Sequence, residues 1–233
     1  MIGIICAMSE ERDAILKLMD NPVEKKFMKI MYHGTIMDNR YYSGKIGNKD
    51  VALFHCGVGK VYAAIITTQV INKVKPDLII NLGCAGSLNE NVHVNDVVVA
   101  TRVADWDVSV PGWERSIFSD KMSFACDGRV AKVAGNIKVD ANIFTGYIVS
   151  GDEFIYKKSQ LNVIKRYFAD ALAGEMEGSA IANTCYAYGV NCSVIRSISD
   201  ETLVNGSYKN FDFNLLKVCD TAAEICRQII IKY

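Results

Sequence analysis

Several short runs in this chain are largely apolar and end abruptly in glycine, serine or acidic residues. Ile2 to Ala7, Leu78-Ile79-Ile80-Asn81-Leu82, Val97 to Val103, Ile143 to Ser150 and Cys192 to Ser199 are each too short for an ordinary globular helix. Runs of this kind suit strands buried on both faces, which are found where helices cover both sides of a mostly parallel sheet. Helical patterns stand between them: one opening at Ser9, one over Val61 to Val74, and others at about 129 to 136, 157 to 167, 178 to 188 and 211 to 231. From Lys29 to Cys56 the pattern changes to short alternating segments, Ile30 to Tyr32, Tyr41 to Ile46 and Val51 to Phe54. These are punctuated by His33-Gly34, Asp38-Asn39 and Gly47-Asn48, which reads as an antiparallel meander. The expected fold is α/β: a three-layer sandwich with a mixed central sheet flanked by helices. It forms a single domain over residues 1–233, since no repeat or Pro/Gly/Ser linker divides the chain.

Charge narrows the partners. The 26 basic and 26 acidic residues cancel and no block of like charge occurs, so the footprint for nucleic acid or an anionic membrane is missing and a small ligand is expected. The apolar start, Met-Ile-Gly-Ile-Ile-Cys-Ala-Met, has no basic flank and runs into Ser9-Glu10-Glu11-Arg12. It reads as neither a signal peptide nor a bilayer span, and the expected location is the cytoplasm. Eight cysteines lie scattered without a Cys-x-x-Cys pair and with three histidines, which gives no metal-site spacing. Most sit in apolar runs, where a reduced thiol acts as a small hydrophobe.

In open α/β sheets, ligands bind beyond the carboxyl ends of the strands. The turns predicted there are Ser9-Glu10-Glu11, Gly57-Val58-Gly59-Lys60, Gly83-Cys84-Ala85-Gly86, Gly151-Asp152-Glu153-Phe154, Gly174-Glu175-Met176-Glu177 and Ser199-Asp200-Glu201. Carboxylates gathered at one poorly solvated rim have raised pKa values, which suits general acid and base work near neutral pH and disfavours an anionic substrate. The glycine motifs do not fit nucleotide cofactors. Tyr62 stands where a dinucleotide fingerprint needs a small residue, and Phe54 and Val61 replace the first glycine and the hydroxyl residue of a phosphate-binding loop. A Gly-x-Ser-x-Gly nucleophile elbow is also missing.

Five blocks together carry a resemblance. Gly-Ile-Ile-Cys-Ala-Met-Ser-Glu-Glu (3 to 11), Asn-Leu-Gly-Cys-Ala-Gly (81 to 86), Ser-Gly-Asp-Glu-Phe-Ile (150 to 155), Glu-Met-Glu-Gly-Ser-Ala (175 to 180) and Arg-Ser-Ile-Ser-Asp (196 to 200) closely resemble the 5'-methylthioadenosine/S-adenosylhomocysteine nucleosidases of the nucleoside phosphorylase superfamily. The resemblance implies a nucleoside phosphorylase-like fold. It also implies hydrolysis of the bond between adenine and a 5'-thio-substituted ribose, in methionine salvage and recycling of adenosylmethionine by-products, with no metal or organic cofactor. That chemistry needs a proton on adenine N7, negative charge near the oxocarbenium-like ribose and an activated water on the opposite face.

Carried over residue by residue, the resemblance makes Asp200 the general acid at N7 and Glu11 the group that activates water. Glu177 then binds the ribose hydroxyls, with Met176 packed on the sugar and Arg196 holding the water and the neighbouring carboxylates. Phe154 and Ile155 match the adenine site, Ser199 the residue beside the acid, Cys84 and Gly86 the turn under the ribose, and Val58 the 5' pocket. The resemblance also implies a homodimer in which the 105–113 segment closes the neighbouring subunit's 5' pocket. Cys84 stands where the family's commonest pattern has serine, and Pro111 where an aromatic residue is common.

Each residue has an ordinary reading too. Asp200 could cap a helix after a strand, Glu11 could answer a helix dipole, Met176 could be core, Arg196 a surface ion-pair partner, and Phe154 and Ile155 a loop anchor. The competing functions are a purine nucleoside phosphorylase, an aminofutalosine-type nucleosidase, or a non-catalytic nucleoside-binding or storage protein on the same scaffold.

Overall fold

The computed structural model describes residues 1–32, 35–114, 116–204, 206 and 211–233. In chain order the elements are β1 (Ile2–Cys6), α1 (Ser9–Leu16), β2 (Asp20–Tyr32), β3 (Thr35–Ile46), β4 (Lys49–His55), α2 (Lys60–Val74), β5 (Leu78–Ser87), β6 (Val97–Asp105), α3 (Ser116–Asp120), β7 (Phe124–Ala125), α4 (Gly128–Ala134), β8 (Ile143–Ser150), α5 (Lys158–Tyr167), β9 (Ala171–Glu175), α6 (Gly178–Tyr188), β10 (Asn191–Glu201) and α7 (Phe211–Lys232). The apolar runs are strands and the periodic segments helices, as their patterns predict. The short elements α3 and β7 are not expected from the sequence, and two longer parts of the chain also differ from expectation. The hairpin arm begins at Asp20 rather than Lys29, and β9 forms from Ala-Leu-Ala-Gly-Glu, a stretch too poor in β-branched residues to announce itself. The predicted His33-Gly34 turn lies outside the described residues.

The strands form one mixed sheet, ordered β10-β6-β8-β9-β5-β1-β4-β3-β2, and β10 also pairs with β5. That extra pairing closes β10, β6, β8, β9 and β5 into a ring, from which β1, β4, β3 and β2 extend as an open wing. β4 is antiparallel to β3, as a meander requires, but parallel to β1, so it belongs equally to the central sheet.

Side chains alternate across the sheet with the strand period of two. Ile4, Leu53, Leu78, Ile80 and Ile195 pack with Ala222, Ile225 and Ile229 of α7. Their neighbours Ile5, Phe54, Ile79 and Val194 face Ala63, Ile66 and Val70 of α2 and Ile181 of α6 on the opposite side. Each such aliphatic side chain contributes about 1.5–3 kcal/mol by leaving water, so a parallel strand loaded on both faces is held from two directions.

The site follows from how β5 changes partners. β1 pairs with β5 only as far as Asn81, whereas β9 takes the same edge at Gly86, arriving antiparallel opposite Gly174. Over the stretch between, Leu82 to Ala85, no strand among the described residues lies on that edge. A backbone amide there must find another acceptor.

Candidate active site

Glu11 provides that acceptor. Its Oε1 receives the Cys84 backbone N–H at 3.0 Å and the Cys84 thiol at 3.4 Å, while Oε2 receives the N–H groups of Ala7 at 2.9 Å and Met8 at 3.0 Å. The helix-end reading of Glu11 is therefore correct as far as it goes, since the carboxylate does close the start of α1. It also bridges α1 to the open edge of β5. A methyl group on Gly83 would stand 2.5 Å from Glu11 Oε1, so glycine is required for this approach. Burial pushes the Glu11 pKa up, and Arg196 and the donating amides offset this only in part.

Asp200 lies inside β10, not at a helix start, which removes its reading as a cap; the next described helix begins at Phe211. The β10–β5 register shifts between Ile198 and Asp200, an irregularity of the kind that re-aims a side chain. Ser199 Oγ donates to Asp200 Oδ1 at 2.8 Å and lies 3.2 Å from the Ala85 carbonyl. Asp200 Oδ2 is buried and has no hydrogen-bond partner among the described residues. Burial raises the Asp200 pKa, and the Ser199 hydroxyl lowers it by less. A side chain at Gly86 would collide with the Thr202 hydroxyl and come within 3.2 Å of Asp200 Oδ2.

Glu175 ends β9 and Glu177 precedes α6. Glu175 accepts from the Ser150 hydroxyl, from the Glu177 N–H at 2.9 Å and the Gly178 N–H at 2.8 Å, and pairs with Arg196. Burial works to raise its pKa, but the guanidinium and these donors win and hold it below the usual carboxylate range. Glu177 has weaker support: the Gly59 N–H at 2.8 Å, and Arg196 at 3.7 Å from Oε2. Burial, then the charge of Glu175, push Glu177 up to about 8. Arg196 is 1% exposed, so the surface ion-pair reading fails. It stands behind the two glutamates, and its Nη2 reaches Asn81 Oδ1 at 2.5 Å.

These groups surround one cavity of about 310 Å³, whose wall includes Glu11, Val58, Cys84, Gly86, Phe154, Ile155, Met176, Glu177, Ser199 and Asp200. Every site residue expected from sequence except Arg196 lines it. Phe154, 38% exposed, meets Phe211 edge-on with ring centroids 5.9 Å apart, so an aromatic end faces the acidic end.

The family model of the phosphorylase superfamily matches residues 1–231. A 5'-methylthioadenosine/S-adenosylhomocysteine nucleosidase of Maridesulfovibrio salexigens is 34% identical over 98% of this chain and 96% of its own length. One of Staphylococcus carnosus is 36% identical over 99% of each. This chain belongs to that nucleosidase family within the phosphorylase superfamily. Among solved structures, the Streptococcus pneumoniae MTA/SAH nucleosidase in complex with 8-aminoadenine superposes with a TM-score of 0.87 at 28% identity, covering 100% of this chain and 99% of that one. The α/β class, the mixed sheet and the nucleoside phosphorylase-like architecture are those of the family.

In this nucleosidase some contributors escape motif reading. Lys60 Nζ lies 3.1 Å from Asp105 Oδ1, 2.7 Å from Asp107 Oδ1 and 3.6 Å from Asp152 Oδ2, and Ser179 Oγ donates to Asp105 at 2.6 Å. Lys60 thus ties the start of the 105–113 segment to the turn whose Gly59 amide holds Glu177. Glu175 and Thr202 also line the cavity. The Glu-Met-Glu spacing was the available signal for Glu175; Thr202 had none.

The Glu177 shift has a consequence for stability. A carboxyl whose folded pKa exceeds its unfolded one stabilises fully below the unfolded value, and that contribution is lost as pH rises through the folded one. The ligand-free Tm is expected to fall as pH rises from about 4.5 to about 8, and Glu177→Gln, with no proton to lose, to flatten part of that fall. Calorimetry across this range checks it; identical slopes for the two proteins would remove Glu177 as the cause.

Proposed function

We propose that this chain hydrolyses the N-glycosidic bond of 5'-methylthioadenosine and S-adenosylhomocysteine, releasing adenine and the 5-thio-substituted ribose. The observation that carries this reading is the convergence of Asp200, with its buried and unpartnered Oδ2, and the separately anchored Glu11 and Glu177 on one cavity. Asp200, whose pKa burial raises, gives its proton to adenine N7 so that the base leaves neutral. Glu11, fixed by the amides of Ala7, Met8 and Cys84, takes a proton from the attacking water, and the remaining hydroxide bonds to the anomeric carbon. Glu177 binds the ribose hydroxyls, and the negative charge held by the Glu175–Glu177 pair, with Glu175 kept below the usual carboxylate range, favours the developing ribosyl cation. Phe154 stacks on the base and Ile155 reads its edge through the main chain. Met176 and Gly86 bound the sugar, Val58 the 5' group, and Cys84 and Ser199 fix the two acids.

Among the described residues, the cavity wall carries Glu11, Glu153, Glu175, Glu177 and Asp200 but no lysine or arginine. A phosphate beside a carboxylate at about 4 Å would cost roughly 4 kcal/mol per charge pair at an effective dielectric of 20, so water is the better nucleophile. The 105–113 segment is assigned to the partner subunit's 5' pocket in a homodimer. Support comes from Val58 and Val61, 46% and 68% exposed beside Lys60, and from Trp113 at 53% on the segment itself. No helix among the described residues is long and apolar enough to cross a membrane.

A substrate panel tests both parts. Methylthioadenosine and adenosylhomocysteine should release adenine at rates independent of phosphate, ahead of adenosine and an aminofutalosine, from enzyme eluting as a dimer. Ribose 1-phosphate formed only with added phosphate would make the chain a phosphorylase. Full activity in a species of 25.8 kDa would remove the role of the partner loop.

A further inference from the structure

The nucleoside cavity is not closed at its 5' side. A second cavity, of about 450 Å³, shares Ala7, Met8 and Val58 with it and includes none of the residues at the adenine end. Its outer wall is the long β2–β3 arm. β3 pairs with β4 only over Tyr41 to Ile46, while its pairing with β2 continues to Thr35, so the arm reaches past the sheet. The arm brings Glu24, Arg40 and Tyr42 to face Glu10, Arg12 and His55.

The chemistry of this space differs from that of its neighbour. The nucleoside cavity is lined by acids alone among charged groups, whereas the second presents two guanidiniums and two carboxylates. Arg40 Nη1 donates to Glu24 Oε2 at 2.7 Å, and the Tyr42 hydroxyl donates to Glu24 Oε1 at 3.1 Å. Arg12 is occupied on one side by Asp13, at 2.7 Å from Nε and from Nη2. Burial, and after it the charge of Arg12, lower the His55 pKa. A cavity with two cations and two anions, entered from the 5' carbon of a nucleoside, matches a substituent that carries one charge of each sign.

We infer that the second cavity is a subsite for the α-amino acid end of a 5'-thio substituent, with Arg40 and Arg12 receiving the carboxylate and Glu24 and Glu10 the ammonium. The inference rests on the nucleosidase reading above and adds to it a discrimination between charged and uncharged 5' tails. The thioether passes Met8 and Val58, and the tail meets fixed charges instead of open water. Contacts of this kind, charge-assisted but partly solvated, set preference more than turnover.

The test compares kcat/KM for adenosylhomocysteine, for methylthioadenosine and for an uncharged S-butyl analogue of similar reach. Arg40 is 46% exposed and remote from the reacting groups, so Arg40→Met is expected to fold. It should lower the adenosylhomocysteine value by about tenfold while the other two stay within about twofold. Glu24→Gln should act in the same direction. In the unaltered enzyme, raising the salt concentration should weaken adenosylhomocysteine alone. Equal losses for all three substrates, or an adenosylhomocysteine value unmoved by Arg40→Met and by salt, would overturn the subsite and leave the nucleosidase reading intact. Failure of the unaltered enzyme to cleave methylthioadenosine would instead sink that reading, and this inference with it.

Discussion

Asp200→Asn is expected to lower adenine release from methylthioadenosine by at least ~10²-fold while leaving nucleoside binding measurable by calorimetry. The amide has nearly the shape of the carboxyl, so the hydrogen bond from Ser199 and the packing beside Gly86 survive. What disappears is a proton that can be given away. Asp200 is prepared for that role by weak compensation: among the described residues Ser199 alone lowers its pKa, against a burial cost that raises it. Glu175 shows the contrast. It is buried as deeply, but with a guanidinium and several donors around it, and it stays ionised. Two carboxyls in one site thus have their pKa values pushed in opposite directions by their surroundings, the arrangement that separates an acid from a charge stabiliser. The same logic fixes the pH response. Activity should fall on the alkaline side as Asp200 loses its proton through its raised pKa, and on the acid side as Glu11, also raised, gains one. Hydrolysis by Asp200→Asn at the parent rate would refute the assignment.

The rim was readable in the sequence because turns at the ends of buried strands leave local marks. Gly83 must lack a side chain for Glu11 to approach, Gly86 must lack one beside Asp200 and Thr202, and the acids follow the apolar runs that carry them. What the sequence hid was set by pairing between distant segments. Ring closure depends on β5 meeting β9 over two residues, Gly86 and Ser87, and the β9 segment reads locally as a loop. The first half of the arm is hidden because Val23-Glu24-Lys25-Lys26 has the composition of a solvated loop, although it pairs with β3 as half of a ribbon. Lys60 stands in a glycine turn that fits no phosphate loop. Its partners, Asp105, Asp107 and Asp152, lie 45, 47 and 92 positions away, beyond any local pattern. Arg196 was assigned the right neighbours by resemblance, yet nothing in Ile-Arg-Ser-Ile said that it would be buried.

That burial makes Arg196 the residue whose loss should cost the most stability. Arg196→Met fits the volume of the aliphatic stem but leaves Glu175, and beside it Glu177, in a closed site without their cation. Breaking one side of a buried pair costs about 3–5 kcal/mol, because the remaining charge is neither solvated nor matched. For a chain of this size that corresponds to a fall in Tm on the order of 10 °C. The loss should depend on pH in a defined sense. With Arg196 present, Glu175 is held below its ordinary range, and its contribution is present above its unfolded pKa and disappears only in acid. Without the guanidinium, burial is opposed only by the Ser150 hydroxyl and the Glu177 and Gly178 amides, and the folded pKa of Glu175 is expected to rise above the unfolded one. The sign then reverses, and the variant should lose more stability at pH 8 than at pH 5. Glu175→Gln in the same background removes the stranded charge and should recover part of the loss at pH 8 and little at pH 5. Denaturant unfolding of the single and double variants at both pH values measures this directly. A penalty equal at pH 5 and pH 8 would mean that Arg196 supports the fold by packing and not by its charge.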